Sequence, residues 1–544
     1  MQNKKDIHPA IWDLKAEHDR GKINRREFLR LAGLLGLSSA ASLQMAGLIS
    51  PKKLLAESVQ RGGTLRVASQ VHHISNPARF SWVAPAQQMR QVAEYLTYTD
   101  AVNITHPHLL QDWQVSEDLK TWTLNLRKGI TFNNGDPFVA DDVLFTMKQW
   151  LSKDVNSSMA SIMGGYLSPQ DIEKTSDHQV VLHLRKPEIA VPEHLFHYPA
   201  LILNHRTFEG DFLDKPHGTG PFVIQEYNIG ERCVLKRRND YWQTGVDGHH
   251  LPYLDSVIFL DMGTDTPSKV SGMKSGVIDT IDFGDSGSTQ AFLALREEEG
   301  VVVRHVASAQ TRVLRMRVDK KPWNDNRVRT ALRLCQHREK ILKLAYFNEG
   351  LLGQDFHVYP NHPEYCEQPT PNYDPERARQ LLQEAGYSEG LRVNLTVGKG
   401  WQEIMSYAEI LKSDALPAGF NIRLQSVSTT QYQSNWSEVD LGITPWYHRP
   451  LGTMALNLGY STNDQGQPTT WNETRWVDKE FNSLLEEANG TLDVQQRRKL
   501  FCKLEKIQQN RGSIGNAFWM NNFSIFRSRV KGLLAHPNSW KMSG

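Results

Sequence analysis

Residues 121–142 read TWTLNLRKGITFNNGDPFVADD, and three kinds of local structure are indicated one after another within them. From Thr121 to Arg127 apolar and polar side chains alternate, which is the period of a strand with one buried face. The run Asn133-Asn134-Gly135-Asp136-Pro137 predicts a turn, because Asn and Gly tolerate positive φ and Pro fixes φ. Residues Ala140–Trp150 predict a helix whose first carboxylates complement the positive end of its dipole. A strand, a turn and a helix in close succession indicate a mixed α/β protein.

The same mixture of strand and helix patterns continues along the chain. Short strands are predicted at Leu65–Ala68, Val180–Leu184, Val234–Lys236 and Val257–Leu260. The second half adds a helical stripe over Arg327–Tyr346, a helix that starts at Asp374-Pro375 and stops at Gly386, and a strand–helix–strand unit over residues 391–427. The pattern predicts an α/β fold in two lobes.

Length and charge narrow the class of protein. A chain of 544 residues exceeds what one hydrophobic core organises, which predicts two or three domains. Without the 10 basic and 5 acidic residues of positions 1–56, the net charge changes from +2 to −3. A near-neutral chain without basic runs is unlike a nucleic-acid-binding protein. No stretch after residue 60 has the roughly 18 consecutive apolar residues of a membrane span, so we expect the mature part to be water-soluble.

Cysteine is scarce, with Cys233, Cys335, Cys366 and Cys502 in the whole chain. They form no CxxC pair, so neither a zinc site nor a thioredoxin-like motif is indicated. Cys335 and Cys502 occur among apolar neighbours in helical patterns, which favours buried free thiols. Three disulfide connectivities stay open on sequence alone.

Residues 23–30 read INRREFLR and resemble a twin-arginine export signal, with Arg25, Arg26, Phe28 and Leu29 in its characteristic positions. A moderately apolar stretch and two lysines follow. Residues 1–56 are therefore predicted to be a twin-arginine signal peptide, cleaved near Ala56, that brings the protein to the periplasm through the twin-arginine translocase. A short membrane anchor or a chance pair of arginines is the alternative.

Five blocks of sequence occur in a characteristic order. They are residues 107–143, Gly218–Phe222 with Asn239–Trp242, Leu251–Asp255 with Gly276–Asp279, Arg327–Leu332, and Tyr373–Arg379 with Ala385–Tyr387. Together they resemble family 5 of the bacterial extracellular solute-binding proteins, which includes oligopeptide, dipeptide and nickel binders. The resemblance covers almost the whole mature chain.

The resemblance implies a two-lobed periplasmic binding protein fold of type II, in its large three-subdomain form, with a ligand cleft between the lobes. Lobe I would be discontinuous, with residues 61–105, 206–310 and 510–544. Residues 106–205 would form an inserted subdomain of lobe I, and residues 311–509 would form lobe II.

The function implied by the resemblance is that of the substrate-binding component of an ABC importer. Such a protein captures a small solute by lobe closure and delivers it to the permease subunits. We expect a monomer without a cofactor. A binder of a metal chelate or haem is one alternative, and a periplasmic chaperone or chemosensory adaptor without a transport role is another. An enzyme is not expected, because GxSxG, HExxH and P-loop motifs are absent from the sequence.

The identity of the solute depends on a segment resembling one that enters the cleft in peptide-binding relatives, residues Asp440–Leu451. In those relatives an Asp three residues after a Trp pairs with the α-amine of the ligand. Here Trp446 is followed by Tyr447, His448 and Arg449. A guanidinium repels an ammonium and suits a carboxylate or phosphate, which its planar fork can bind through two hydrogen bonds. These four residues therefore predict a site for a peptide, an opine-like compound or another carboxylate-bearing compound, rather than for ordinary free-amine peptides. An internal salt bridge of Arg449 is the alternative.

Further candidates for ligand contact follow two predicted strands. They are Asn76, Arg79 and Trp82 after the first strand, and Trp401 after Gly398-Lys399-Gly400. Histidines occur in the pairs His72-His73, His106/His108 and His249-His250. Adjacent histidines usually point apart, and no HxxxH spacing exists, so no direct metal site is predicted. Carriage of a chelated metal stays open.

Overall fold

The computed structural model describes residues 7–37, 42, 45, 59–263, 265–281, 289–463, 465–533, 536 and 537. The chain folds into two units. The first comprises residues 1–284, 295–302 and 524–544, and the second comprises residues 285–294 and 303–523. The limits given above for the two lobes and the inserted subdomain stay predictions.

Helices and strands follow one another along both units. The described α-helices are α1 (Ala10–Asp19), α2 (Arg25–Leu34), α3 (Val83–Met89), α4 (Ala140–Leu151), α5 (Ser158–Met163), α6 (Val191–His194), α7 (Thr266–Ser275), α8 (Thr289–Leu295), α9 (Asn326–Leu334), α10 (Arg338–Tyr346), α11 (Pro375–Glu384), α12 (Gln402–Ala415), α13 (Thr429–Asn435), α14 (Gly452–Tyr460), α15 (Lys479–Asn489) and α16 (Val494–Arg511). Among the described residues, no helix is both long and apolar enough to cross a membrane.

The described strands have two to eight residues, apart from two long ones, β12 (Val301–Met316) and β17 (Ile514–Arg527). They are β1 (Thr64–Ala68), β2 (Thr97–Thr99), β3 (Thr105–Pro107), β4 (Leu110–Val115), β5 (Thr121–Leu126), β6 (Ile172–Ser176), β7 (Gln179–His183), β8 (Phe222–Asn228), β9 (Arg232–Arg237), β10 (Ser256–Leu260), β11 (Thr280–Ile281), β12 (Val301–Met316), β13 (Gly350–Leu352), β14 (Leu391–Gly398), β15 (Phe420–Val427), β16 (Leu441–Trp446) and β17 (Ile514–Arg527).

The first unit contains a mixed sheet and a small antiparallel sheet. In the mixed sheet β1 pairs in parallel with β10 and β11, and β10 continues antiparallel to β9 and β8. The small sheet has the order β4-β5-β7-β6. Its strand β5 and the helix α4 confirm the local structure predicted for residues 121–150. The carboxylate of Asp142 accepts a hydrogen bond from the Val139 amide and so caps the start of α4.

The second unit is built around strands that run beside one another through its centre. Strand β14 pairs in parallel with β15 over eight residues, and α12 connects them, which confirms the predicted strand–helix–strand unit. Strand β16 pairs in parallel with β14 and antiparallel with β12. The predicted stripe over Arg327–Tyr346 is divided into α9 and α10. The division has a local cause, because the His337 imidazole accepts a hydrogen bond from the Lys340 amide and starts a new helix.

The twin-arginine pair lies at the start of α2, in the first unit. Asn24 caps this helix together with Glu27, and Phe28 is buried. The Trp113 indole donates a hydrogen bond to the carbonyl of Leu34 at the other end of α2. The expected cleavage position near Ala56 lies outside the described residues. The use of the twin-arginine segment as an export signal stays a prediction.

The cysteines differ from the expectation at one position. Cys366 and Cys502 form a disulfide with Cα atoms 5.0 Å apart, whereas Cys233 and Cys335 are buried free thiols. The expectation of a free thiol was wrong for Cys502. The helical pattern around it is real, but its side chain is only half-buried and projects from α16 toward the loop that carries Cys366. A structural disulfide is typical of an oxidising compartment such as the periplasm.

A buried carboxyl group lies next to this disulfide. Glu505 is on α16, one helical turn after Cys502, and is fully buried. Both of its carboxyl oxygens accept from the amide of Cys366, at 3.2 and 3.3 Å. Burial raises the pKa of Glu505 to about 9; the Cys366 amide opposes this shift, and the nearby charge of Glu364 adds to it. The side chain is therefore protonated at neutral pH in the folded protein.

Candidate functional site

The predicted ligand-contacting residues, Trp446 to Arg449, lie at the end of strand β16 in the second unit. All six residues of β16 are buried, and the strand ends at Trp446. Tyr447 is half-buried, and His448 and Arg449 are buried before α14 begins. Because β12 and β14 pair with β16 on either side, the sheet fixes the backbone position of Trp446, and Tyr447, His448 and Arg449 follow directly after it.

The indole of Trp446 is held by a buried polar network. Its Nε1 donates to Oε1 of Glu473 at 2.8 Å, and the Thr444 hydroxyl donates to the other oxygen at 2.7 Å. The Arg315 guanidinium lies 3.1 Å from the same carboxylate. Burial raises the pKa of Glu473, and the positive charge of Arg315 opposes this shift. Trp446 thus has a fixed ring plane and no spare donor for a solute.

Rings from three other segments pack around Trp446. The His357 ring lies edge-on to the Trp446 ring, with centroids 4.8 Å apart, and also packs against Trp519 at 5.9 Å. The Tyr359 ring meets Trp519 at 5.3 Å, and the Tyr460 hydroxyl lies 2.9 Å from Nδ1 of His357. None of these five residues is more than 3% exposed. They are called the aromatic cluster below.

The imidazoles in and beside the aromatic cluster are neutral. Burial lowers the pKa of His357 to about 3, and the positive charge of Arg449 adds to this shift. His362 Nε2 faces the carbonyl of Arg449 at 2.8 Å, and its Nδ1 accepts from the amide of Tyr359. A carbonyl only accepts, so the proton of His362 is on Nε2. Likewise Nδ1 of His448 accepts from the Ala309 amide at 2.9 Å, which places the proton of a neutral His448 on Nε2.

Arg449 is the cationic member of the site. Only 4% of it is exposed, and its Nη1 donates to the carbonyl of His448 at 2.9 Å. Its backbone carbonyl accepts a hydrogen bond from His362. Its positive charge contributes to the lowered pKa of His357. A guanidinium beside neutral imidazoles and aromatic rings is an environment suited to an anion, because the low local polarity strengthens a charged hydrogen bond.

The other predicted contact residues are not members of the aromatic cluster. Trp401 is 2% exposed at the start of α12 and packs edge-on against Tyr432, outside the aromatic cluster. In the first unit, the side-chain oxygen Oδ1 of Asn76 accepts from the Ala78 amide and caps the 3-10 helix Pro77–Arg79, and its Nδ2 donates to Gln149. Arg79 is exposed and donates to the carbonyl of Asp154. Trp82 is half-buried at the start of α3. A ligand role for these residues stays a prediction.

Several residues of the site were missed by the sequence patterns. His357, Tyr359 and His362 come from one loop, and Trp519 comes from β17, far along the chain. A compositional signal was present, because residues 356–365 read FHVYPNHPEY, with five aromatic or imidazole rings in ten positions. Nothing in that run predicted that it would meet the segment after Trp446.

Histidine and carboxylate side chains are common metal ligands in proteins. In the part of the chain that the structure describes, no group of three His, Cys, Asp or Glu residues could hold a metal ion. His106 pairs with Asp100 at 2.9 Å, and His108 pairs with the buried Glu94 at 2.7 Å. Both pairs lie within the first unit, and Glu94 also accepts from the Tyr241 hydroxyl and the Trp242 indole.

Comparisons with known proteins agree with this architecture. The model of the family "Bacterial extracellular solute-binding proteins, family 5 Middle" matches residues 105–467. The dipeptide-binding protein of Escherichia coli K12 is 24% identical over 465 residues, which cover 79% of this chain and 84% of that protein.

Solved structures are similar over most of the chain. The periplasmic binding protein DppA from Helicobacter pylori, in complex with the peptide STSA, has a TM-score of 0.79 at 21% identity, covering 90% of this chain and 99% of that one. The periplasmic binding protein AgaA from A. tumefaciens R10, in complex with agropinic acid, has a TM-score of 0.78 at 19% identity, covering 88% and 97%. The shared fold is that of the type II periplasmic binding proteins.

Proposed function

Because this chain belongs to family 5 of the bacterial extracellular solute-binding proteins, we propose that it is the periplasmic component of an ABC importer that binds a small carboxylate-bearing solute. Members of the family are solute-binding proteins, and we propose no enzymatic activity. The observation that carries the choice of solute is the buried guanidinium of Arg449 beside the aromatic cluster.

The charges around the site support an acid over an amine. Glu473 is engaged by Arg315, Thr444 and Trp446. Glu364 accepts from the Gly452 amide at 3.3 Å and lies 3.7 Å from Arg497. The carboxylates of Glu473 and Glu364 therefore already have partners within the protein. Arg449 occupies the position where peptide-binding relatives are expected to carry an acidic residue. Transfer of a free ammonium beside Arg449 would place two like charges in a poorly solvated environment.

The rings of the aromatic cluster support a partly apolar solute. Trp446 and Tyr359 offer flat surfaces for packing, and the neutral imidazoles add no repulsive or attractive net charge. A short peptide with a blocked amine or an opine-like acid combines a carboxylate with such apolar parts. Tyr447 and His448 are proposed as further contacts, because they connect Trp446 to Arg449 in the chain.

Export and partners follow from the same proposal. We propose that Arg25, Arg26, Phe28 and Leu29 direct export through the twin-arginine translocase. In the periplasm the protein would act as a monomer and deliver its solute to ABC permease subunits. The disulfide between Cys366 and Cys502 supports an oxidising compartment.

A screen of matched acids and amides tests the proposed solute class. We expect N-acetyl-L-alanyl-L-alanine and the opine N-(1-carboxyethyl)-L-alanine to raise the melting temperature, because each places a carboxylate against Arg449. Their carboxamide forms should give little or no shift, and so should L-alanyl-L-alanine amide, which has a free amine and no carboxylate. Differential scanning fluorimetry on the signal-free protein gives the answer. Stabilisation by the amides, by haem or by a nickel–histidine chelate, without stabilisation by the acids, would contradict the proposal.

A further inference from the structure

Trp519 lies in the aromatic cluster on strand β17. Its backbone is paired with Leu351 of β13, and its side chain is 1% exposed. The indole belongs to a buried cluster with Ala309 and Tyr359 and also packs against His357. Three segments therefore hold the ring in place: β12, β13 and the loop that carries His357 and Tyr359.

The indole N–H of Trp519 has no acceptor in the described part of the structure. Buried polar groups are nearly always hydrogen-bonded, because leaving a donor unpaired loses the free energy of its hydration without a replacement. Other buried indoles follow the rule: Trp113 donates to the Leu34 carbonyl, Trp122 to the Leu119 carbonyl and Trp446 to Glu473. The Trp519 N–H is a donor that awaits an acceptor.

The surroundings of Trp519 indicate where that acceptor would come from. Nearby acceptors are already used, since Nδ1 of His448 takes the Ala309 amide and Glu473 takes Trp446. The Arg449 guanidinium adds positive charge to the same region, since it contributes to the lowered pKa of His357. Trp150 in α4 also has an unpaired indole N–H, but it lies in the first unit and outside the aromatic cluster.

We infer that Trp519 is a specificity-determining residue, whose Nε1–H donates a hydrogen bond to a carboxylate or carbonyl oxygen of the bound solute. The inference rests on the proposed function and goes beyond it. Arg449 would select the charge of the solute, while Trp519 would select an acceptor oxygen at a second, fixed point. A solute with an N–H or O–H at that point would leave its own donor and the Trp519 N–H without acceptors, and it would be rejected.

The variant Trp519→Phe tests the inference, because phenylalanine keeps an aromatic ring and lacks the N–H. We expect binding of N-acetyl-L-alanyl-L-alanine, measured by isothermal titration calorimetry, to weaken about tenfold or more, the usual effect of losing a hydrogen bond to a charged group. Replacing tryptophan by the smaller phenylalanine leaves a cavity, which lowers the melting temperature of the ligand-free protein. Removal of an unpaired buried donor offsets part of this loss, so we expect only a small decrease. Trp150→Phe is the matched control and should leave affinity unchanged.

A second measurement reads the hydrogen bond directly. In a ¹⁵N-labelled sample, the indole resonance absent from Trp519→Phe should move downfield when N-acetyl-L-alanyl-L-alanine is added to the wild-type protein. Equal affinities of wild type and Trp519→Phe, or an unmoved indole resonance in the loaded protein, would overturn the inference alone. A wild-type protein that binds none of the acids would instead refute the proposed function, and the inference with it.

Discussion

Replacing Arg449 by glutamine weakens the binding of N-acetyl-L-alanyl-L-alanine at least about 30-fold, on our account of the site. The guanidinium is 4% exposed, so it meets a carboxylate with little competing water, and losing one partner of a desolvated charge pair costs about 2–5 kcal/mol. Lysine retains the charge but lacks the planar fork, so Arg449→Lys should give an intermediate loss. Titration calorimetry at fixed ionic strength measures all three proteins.

The matched control for Arg449 is another arginine of the second unit. Arg423 is exposed on β15, and Arg423→Gln removes the same charge from the unit without touching the site. Its affinity should equal that of the wild type. If Arg449→Gln binds the acid as tightly as Arg423→Gln does, Arg449 has an internal role such as a salt bridge, and the anion interpretation is wrong.

The variant Glu505→Gln should be more stable than the wild type at alkaline pH. In the unfolded chain the carboxyl ionises near its ordinary pKa of 4.5, whereas in the folded protein its pKa is about 9. Between these values the folded state binds more protons than the unfolded state, so wild-type stability falls as pH rises from about 5 to 9. Glutamine cannot ionise and can still accept from the Cys366 amide. We expect an advantage of about 5 kcal/mol near pH 8, because each pH unit above 4.5 costs the wild type about 1.4 kcal/mol.

Thermal unfolding at several pH values checks this expectation. The melting temperatures of Glu505→Gln and wild type should coincide near pH 5 and separate by several degrees near pH 8.5. Glu487→Gln, on the exposed face of α15, is the control and should show no such separation. A constant difference at all pH values would mean that Glu505 is ionised in the folded protein.

Local sequence patterns predicted much of the fold, because they record which face of each element is buried. The alternation at Thr121–Leu126 and the apolar stripe around Leu381 both depend on neighbours within one strand or helix. The break between α9 and α10 escaped prediction because apolar residues continue on both sides of it. Only the hydrogen bond from the Lys340 amide to His337 shows that a second helix starts there.

The site was harder to predict, because it depends on contacts between distant segments. Trp446 and Arg449 were proposed from the resemblance of their segment to one in peptide-binding relatives, and their contact with a solute stays a prediction. The sequence could not supply Trp519, since an aromatic residue in a strand gives no sign of whether its N–H finds an acceptor. The sequence also gave no sign of the partner of Trp401, which packs against Tyr432 in the structure.

Native mass spectrometry of the protein purified from periplasm tests the central claim most directly. A carrier that binds its solute tightly retains it through purification, and comparison with the denatured mass gives the mass of whatever is bound. Our account predicts a discrete non-covalent increment that fragmentation identifies as an amine-blocked peptide or an opine-like acid without a primary amine, and that is lost in Arg449→Gln. An increment that proves to be a free-amine peptide or haem would contradict the account.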